Sequence, residues 1–186
     1  MSRDGTAAVA EIKLPEPVML VVAAFSRYDE ALDWAERALV ERYGPVRLKS
    51  NRFEFRETEH YTASMGADLR KQFFAFERLI QPEQLAEIKR ATNVLEHEFA
   101  TQHSHAVLRP LNLDPGYLSL GKFVLASTKD HMHRVYLEGG VYAEVTLHFT
   151  AGDFVAWPWT YPDYRRDDYR AFLRTAREEY RRLLRG

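Results

Sequence analysis

The sequence predicts an α+β protein whose first part is a ferredoxin-like βαββαβ unit, extended by short antiparallel strands and a C-terminal helix. Three observations support this prediction. An uncharged apolar run over 18–25 is typical of a strand buried on both faces. Two later stretches, 31–42 and 82–99, repeat apolar residues at helical spacing. Beyond residue 114, short strand-like runs alternate with turn residues before a long amphipathic stretch ends the chain.

Start and stop signals bound the elements of the first part. The first strand ends at Ser26, and the spacing from Ser26 to Asp29 resembles a capping box that begins a helix. Gly44 and Pro45 end that helix, and Pro82 begins the next one. The elements that follow the first helix are predicted as a strand, a polar loop, a strand, a helix and a strand, over 46–55, 56–66, 69–80, 82–99 and 106–113.

The second part is predicted to contain four short strands and one helix, over 122–126, 133–137, 141–149, 154–157 and 167–184. The last helix turns apolar residues inward and carries a charged face that we expect to be solvated. No repeat or linker marks an internal boundary. We therefore expect a flexible tail over 1–16 and a single α+β domain over 17–186.

Composition narrows the classes of function. The 186 residues are 46% apolar and 28% charged, as in an ordinary protein with a hydrophobic core. With a formal net charge of −1, we expect neither DNA nor a membrane as a partner. The absence of cysteine excludes disulfides, thiolate metal sites and cysteine nucleophiles. No apolar run could span a bilayer and no secretory signal is visible, so the expected location is cytoplasmic.

The segment Glu138-Gly139-Gly140 reverses the chain between two strands, and its length decides which side chains share a face. A two-residue loop would pair Glu138 with Val141 and divide the apolar residues between the two faces. A three-residue loop pairs Leu137 with Val141 and gathers the apolar residues on one core face, so we predict this register. Those residues are Val135, Leu137, Val141, Ala143, Val145 and Leu147.

The other face of this hairpin is polar. Arg134 lies across from Glu144, Tyr136 lies across from Tyr142, and Thr146 continues the face. One interpretation is an ion pair on a wet sheet surface, worth roughly 0.2–1 kcal/mol. The other is the floor of a pocket, in which Glu144 orients the two-pronged guanidinium of Arg134 toward an anionic ligand. The sequence leaves both interpretations open.

Charged and hydroxyl residues within these strands predict a shared polar pocket. No side chain is identified as catalytic, and no cofactor or oligomeric state is assigned. The candidate ligand-binding residues are Arg109, Asn112, Asp114, Tyr117, Lys122, His133, Arg134, Tyr136, Glu144 and Thr146.

The run from Gly116 to Phe123 nearly matches a phosphate-binding loop. That loop requires a hydroxyl residue after its lysine and opens a helix, whereas Phe123 follows Lys122 and begins a strand-like run. We therefore predict a strand after Lys122 and regard the match as chance.

Two His-x-His pairs could bind a metal if each lay on a strand. His103 and His105 lie in a polar segment and are expected to be solvated. His131 and His133 flank the start of a strand, where Asp114 could complete a site. They are candidates only, and the prediction includes no metal.

Several stretches spread over nearly the whole chain carry a resemblance to a known family. They are 61–66, 76–80, 88–93, 112–117, 125–129, 133–137, 142–147 and 159–164. Together they resemble an uncharacterised prokaryotic family, domain-of-unknown-function family 4416. The resemblance implies no established activity, although relatives are sometimes labelled GTP-binding.

The favoured function is a polar pocket that binds a phosphorylated or nucleotide-like small molecule. One alternative is a non-catalytic module that binds RNA or protein, because exposed rings on such a sheet can stack bases. Under this alternative, four aromatic residues would form a wall on which bases stack, and not merely an aromatic strap over the core. They are Trp157, Trp159, Tyr161 and Tyr164. The second alternative is a metal-dependent hydrolase that uses His131, His133 and Asp114.

Overall fold

The computed structural model describes residues 10–56 and 62–185, which form nine strands and four α-helices. Residues 10–16 are exposed and have no regular secondary structure, while the rest of the predicted tail lies outside the described residues. No helix in these two ranges has the length and apolar character needed to cross a membrane. The strands are β1 Val18–Ser26, β2 Val46–Lys49, β3 Phe53–Phe55, β4 Leu69–Ile80, β5 Asn112–Leu118, β6 Lys122–Ser127, β7 Val135–Glu138, β8 Val141–Thr150 and β9 Asp153–Ala156. The helices are α1 Asp29–Tyr43, α2 Thr62–Met65, α3 Leu85–Gln102 and α4 Asp167–Leu183.

All strand pairs in the sheet are antiparallel. The main strand order is β2-β4-β1-β5-β6-β8-β7, with β3 also paired to β4 and β9 to β8. The α+β class is therefore confirmed. The order of the first part, in which β4 lies between β2 and β1, is compatible with the predicted ferredoxin-like arrangement.

Helices cover both faces of the sheet. Helices α1 and α3 pack on one face, against residues such as Leu20 and Val22. Helix α4 packs on the other face, where Leu173 and Tyr180 meet Val21. Strand β1 is buried along its whole length because it lies between these two layers, as its uncharged sequence predicts.

Two predicted elements of the first part are wrong in extent. The strand expected over 106–113 begins only at Asn112 and runs to Leu118, paired with β1. The error arose because Asp114, Pro115 and Gly116 are typical turn residues, yet here they continue a strand. The strand expected over 46–55 is divided into β2 and β3, since the hydroxyl of Ser50 accepts the backbone N–H of Phe73 between them.

The predicted polar loop over 56–66 is replaced in part by the short helix α2. Residues 57–61 of that loop lie outside the described residues.

The β7–β8 hairpin has the turn of one of the two alternatives and the strand pairing of the other. Its tip is a two-residue turn, because Glu138 pairs with Val141, so the predicted three-residue loop is wrong. A bulge at Leu137 then shifts the register, and Tyr136 pairs with Tyr142 as predicted. Val135 and Leu137 are exposed, so the predicted common core face is also wrong. They are exposed because β7 is an edge strand and the core cluster of α3 reaches β6 and β8.

Strands β5 and β6 pair over only three positions, from Gly116 to Leu118. Pro115 has no N–H to donate, which removes one bond of a longer ladder. Before Gly116, β5 stays with β1 while β6 stays with β8, so the sheet divides. In the gap, the backbone of Leu113 bonds to two side chains of α3: its N–H to Glu96 at 2.8 Å and its carbonyl to Lys89 at 2.9 Å.

Replacing Gly116 by alanine should lower the free energy of unfolding by about 1–3 kcal/mol. A Cβ at this position would lie 2.4 Å from the carbonyl oxygen of Val124 and force β5 away from β6. Urea unfolding measures the change. The matched control is Gly121→Ala, whose Cβ would meet no atom within 4 Å. Equal stabilities of the two variants would contradict the close approach of the strands.

Candidate functional site

A cavity of about 630 Å³ lies where the sheet divides. Six strands contribute side chains to it, namely β1, β3, β4, β5, β6 and β8. Most of these side chains lie on the same face of the sheet as helix α4. The register places Lys71 of β4, Phe25 of β1 and Asn112 of β5 side by side, because Phe25 pairs with both neighbours. The segment 161–164 forms a wall. The lining residues that carry charge are Lys71, Lys89, Glu96, Arg109, Asp114, Lys129, Arg134, Glu144 and Asp163.

Lys71 is a buried cation in an aromatic cage. Its side chain is 3% exposed, and its ammonium lies 2.6 Å from Oδ2 of Asp163. Five ring centroids lie 4.4–5.7 Å from the ammonium, at the distance of cation–π contacts. These rings belong to Phe25, Phe55, Phe73, Tyr164 and Tyr169.

A second cluster is built from α3 and β5. The ammonium of Lys89 donates to the carbonyl of Leu113 and, at 3.3 Å, to Oδ1 of Asp114. Arg109 donates to Glu96 at 3.2 Å and to the side-chain oxygen of Asn112 at 2.5 Å. Helix α3 packs on the far face of the sheet, so its side chains enter the cavity through the gap between β5 and β6.

The pKa values of the two acids in this cluster, Asp114 and Glu96, are shifted in opposite directions. Burial acts to raise the pKa of Asp114, but the charges of Lys89 and Lys71 outweigh it and lower that pKa below its usual 3.8. Burial raises the pKa of Glu96 above its usual 4.5, and the nearby Lys89 only partly offsets this.

The predicted contact between Arg134 and Glu144 forms, with Nε 3.0 Å from Oε2. Arg134 itself lies just before β7, because the strand predicted over 133–137 begins only at Val135. The side chains of Arg134 and Glu144 are 1% and 2% exposed, so the wet-surface interpretation is wrong and the pair lies in a covered site. The other guanidinium nitrogens donate to Ser127, to the carbonyl of Lys129 and to the hydroxyl of Tyr161. Four of its five N–H groups are thus engaged, and Arg134 acts mainly to hold the cavity walls together.

Five of the ten candidate residues line the cavity: Arg109, Asn112, Asp114, Arg134 and Glu144. Two more lie behind it. Nε2 of His133 is 3.0 Å from Glu144, and the hydroxyl of Thr146 donates to the same carboxylate at 3.2 Å.

The other three candidates lie elsewhere. Tyr117 packs with the core clusters on the α3 side of the sheet. Lys122 is exposed at the far end of β6, where it pairs with His148. Tyr136 is exposed on β7, with its ring 5.4 Å from that of Tyr142.

Sequence reasoning missed Lys71, Lys89, Glu96 and Asp163. Two of them carried a signal that could have been used. Lys71 shares its face of β4 with the apolar residues Leu69 and Phe73. Lys89 lies four residues after Leu85, on the apolar stripe of α3. A lysine on a buried stripe needs a partner, which indicates a polar site.

The prediction of a strand after Lys122 is confirmed, since Gly116–Leu118 belongs to β5 and Lys122 begins β6.

The rings of His131 and His133 are 5.8 Å apart, and the described residues contain no group of three or more metal-binding side chains. The expectation that His103 and His105 are solvated is wrong. Their rings stack on Phe99 and Tyr28, at 4.4 and 4.3 Å, because the loop folds back over α3 and α1.

The aromatic residues after β9 divide between two places. Trp157 and Trp159 stack on each other at 5.3 Å and continue to the rings of His148 and His133. Tyr164 instead belongs to the core on the α4 face, against Lys71.

A family model described as Domain of unknown function (DUF4416) matches residues 16–180. Searches among curated proteins and among solved structures found no match.

Replacing Arg134 by alanine should lower the free energy of unfolding by roughly 3–5 kcal/mol, because it leaves the buried carboxylate of Glu144 without its guanidinium. Glu144→Gln should have a smaller effect, since the amide oxygen can still accept from Arg134. Urea unfolding compares both with Arg90→Ala, which breaks an exposed pair with Glu138 and should cost at most about 1 kcal/mol. Similar losses for Arg134→Ala and Arg90→Ala would show that the site is wet.

Asp114→Asn should lower stability at neutral pH, and the difference from wild type should shrink as the pH falls below 3.8. The pKa of Asp114 is lowered on folding, so its ionised form stabilises the protein above the unfolded-state pKa. This contribution is lost as the pH falls through the folded-state pKa. Urea unfolding over a series of pH values measures the difference.

Glu96→Gln should show the opposite dependence. Because folding raises the pKa of Glu96, the unfolded chain ionises first, and wild-type stability declines as the pH rises above 4.5. The variant lacks this decline, and its amide oxygen can still accept the N–H of Leu113. Its stability relative to wild type should therefore increase as the pH rises above 4.5. If both variants followed the same pH dependence, the opposite shifts would be refuted.

Proposed function

The chain belongs to the family Domain of unknown function (DUF4416), and we propose that its cavity binds a small phosphorylated or nucleotide-like molecule. The observation that supports this proposal is a set of buried donors in the cavity lining that have fewer hydrogen-bond acceptors than N–H groups. A ligand with several anionic oxygens would supply those acceptors.

The donors can be counted. Among the described residues, Lys71 has one hydrogen-bond acceptor for three N–H groups, and Lys89 has two. Nδ2 of Asn112 is buried and makes no hydrogen bond of ordinary geometry. The Asn112 side chain still lies near enough to Asp114 to help lower the pKa of that carboxyl group. A buried donor without a partner costs about 1–3 kcal/mol, which binding of an oxygen-rich ligand would recover.

The charges of the lining favour an anion. Each of the four lining carboxylates is paired with a lining cation, and Lys129 adds a fifth cation at the exposed rim. The lining therefore carries five basic and four acidic groups, with histidine neutral.

The remaining surface suits an apolar or planar part of the ligand. Phe25, Phe55 and Tyr161 lie among the lining residues. The volume falls within the range of about 300–1,000 Å³ typical of small-molecule sites. A phosphate with an attached sugar or ring would therefore contact both the charged and the aromatic parts.

A thermal-shift screen tests this proposal, using ribose 5-phosphate and nucleoside 5′-phosphates beside ribose and the matching nucleosides. A phosphorylated compound at 100 times its Kd should stabilise the protein by about 2.7 kcal/mol, and its unphosphorylated counterpart should not.

Two variants sharpen the test. Asn112→Asp keeps the oxygen that accepts from Arg109 but replaces the donor by a negative charge, so it should weaken binding by about 10–100-fold. Lys122→Met removes a positive charge outside the cavity and should leave affinity unchanged. The proposal fails if no phosphorylated compound stabilises the protein, or if the two variants weaken binding equally.

A further inference from the structure

We infer that Lys71 is a nucleophile that forms an imine with a phosphorylated aldehyde or ketone. This inference rests on the proposed function, because the phosphate would hold the carbonyl compound in the cavity. The inference adds a covalent step at a buried residue of the cavity lining.

The choice of lysine at this position is informative. Six of the 26 basic residues are lysines, and the rest are arginines. Four of the six are exposed or half-exposed, whereas Lys71 and Lys89 are 3% and 7% exposed and both line the cavity. Arginine makes the better structural ion pair, while only lysine offers a primary amine as a nucleophile.

The aromatic cage suits both states of the reaction. In the resting protein, Asp163 and the five rings compensate the charge of the ammonium. A protonated imine is also a cation at Nζ, so the same carboxylate and ring faces would stabilise the product. Imine formation therefore exchanges one compensated cation for another.

Asp163 lies where a proton carrier is needed, 2.6 Å from Nζ. It accepts a proton from the ammonium, and the free amine attacks the carbonyl carbon to form a C–N bond. The C–O bond then breaks, and the oxygen leaves as water with protons from the amine and from Asp163. The balance is ammonium plus carbonyl compound giving protonated imine plus water, with no oxidant or reductant.

Lys89 is less suited to this role. Its ammonium donates to both Leu113 and Asp114, which fixes it at the edge of β5. The charges of Lys89 and Lys71 together lower the pKa of Asp114. We assign Lys89 to binding the anion.

The experiment uses pyridoxal 5′-phosphate as the probe, with borohydride to reduce any imine to a stable amine. Peptide mapping by mass spectrometry then measures the label on each of the six lysines of the wild-type chain. Lys71 should carry about tenfold more label than Lys49 or Lys122, because the cavity holds the aldehyde against it. Pyridoxine 5′-phosphate, which has an alcohol in place of the aldehyde, should compete.

Lys71→Arg keeps the positive charge and removes the amine, so it should abolish the preferential label and retain a thermal shift with pyridoxine 5′-phosphate. Lys122→Arg, at an exposed residue outside the cavity, is the matched control and should leave the label on Lys71 as it is in the wild type. Because mapping is done on the wild type, the result does not depend on the folding of either variant.

The outcomes separate the two proposals. A thermal shift by pyridoxine 5′-phosphate without label on Lys71 would overturn the imine and leave phosphate binding standing. Label spread evenly over the exposed lysines would also overturn the imine. Selective label from unphosphorylated pyridoxal, with no effect of the phosphate, would support the nucleophile and count against the proposed function.

Discussion

The division of the sheet between β5 and β6 is the constraint on which the site depends. Pro115 removes a donor from the ladder, and the backbone of Leu113 then bonds to Glu96 and Lys89 instead of to β6. A continuous ladder would have used those backbone groups and kept the side chains of α3 on their own face. The gap therefore lets charges from one face of the sheet meet those of the other.

The ion pairs around the cavity are poorly explained by stability alone. Replacing a buried pair with apolar residues is often neutral or stabilising, whereas removing one partner is damaging. Lys71 is enclosed by aromatic rings, where an apolar side chain would pack without needing Asp163. A buried amine with unused donors on a cavity wall is better explained by what enters the cavity.

The wall formed by 161–164 is anchored to the sheet on both sides, which preorganises the site. Arg134 donates to the hydroxyl of Tyr161 at one end, and Asp163 accepts from Lys71 at the other. Thr160, just before the wall, donates to the carbonyl of Thr146 on β8. The cavity therefore takes its shape from contacts between distant parts of the chain.

The sequence by itself determined the α+β class and the position of most helices and strands, because hydrophobic periodicity is a local property. The contact of Arg134 with Glu144 was predicted from a three-residue loop, and it forms because a bulge at Leu137 restores that register behind a two-residue turn. Only the tertiary structure decided that this pair is covered, since burial depends on the wall contributed by Tyr161. It also decided that Lys71 and Lys89 share one cavity. They come from a strand and a helix on different layers, and no spacing along the chain shows that a gap in the sheet joins them.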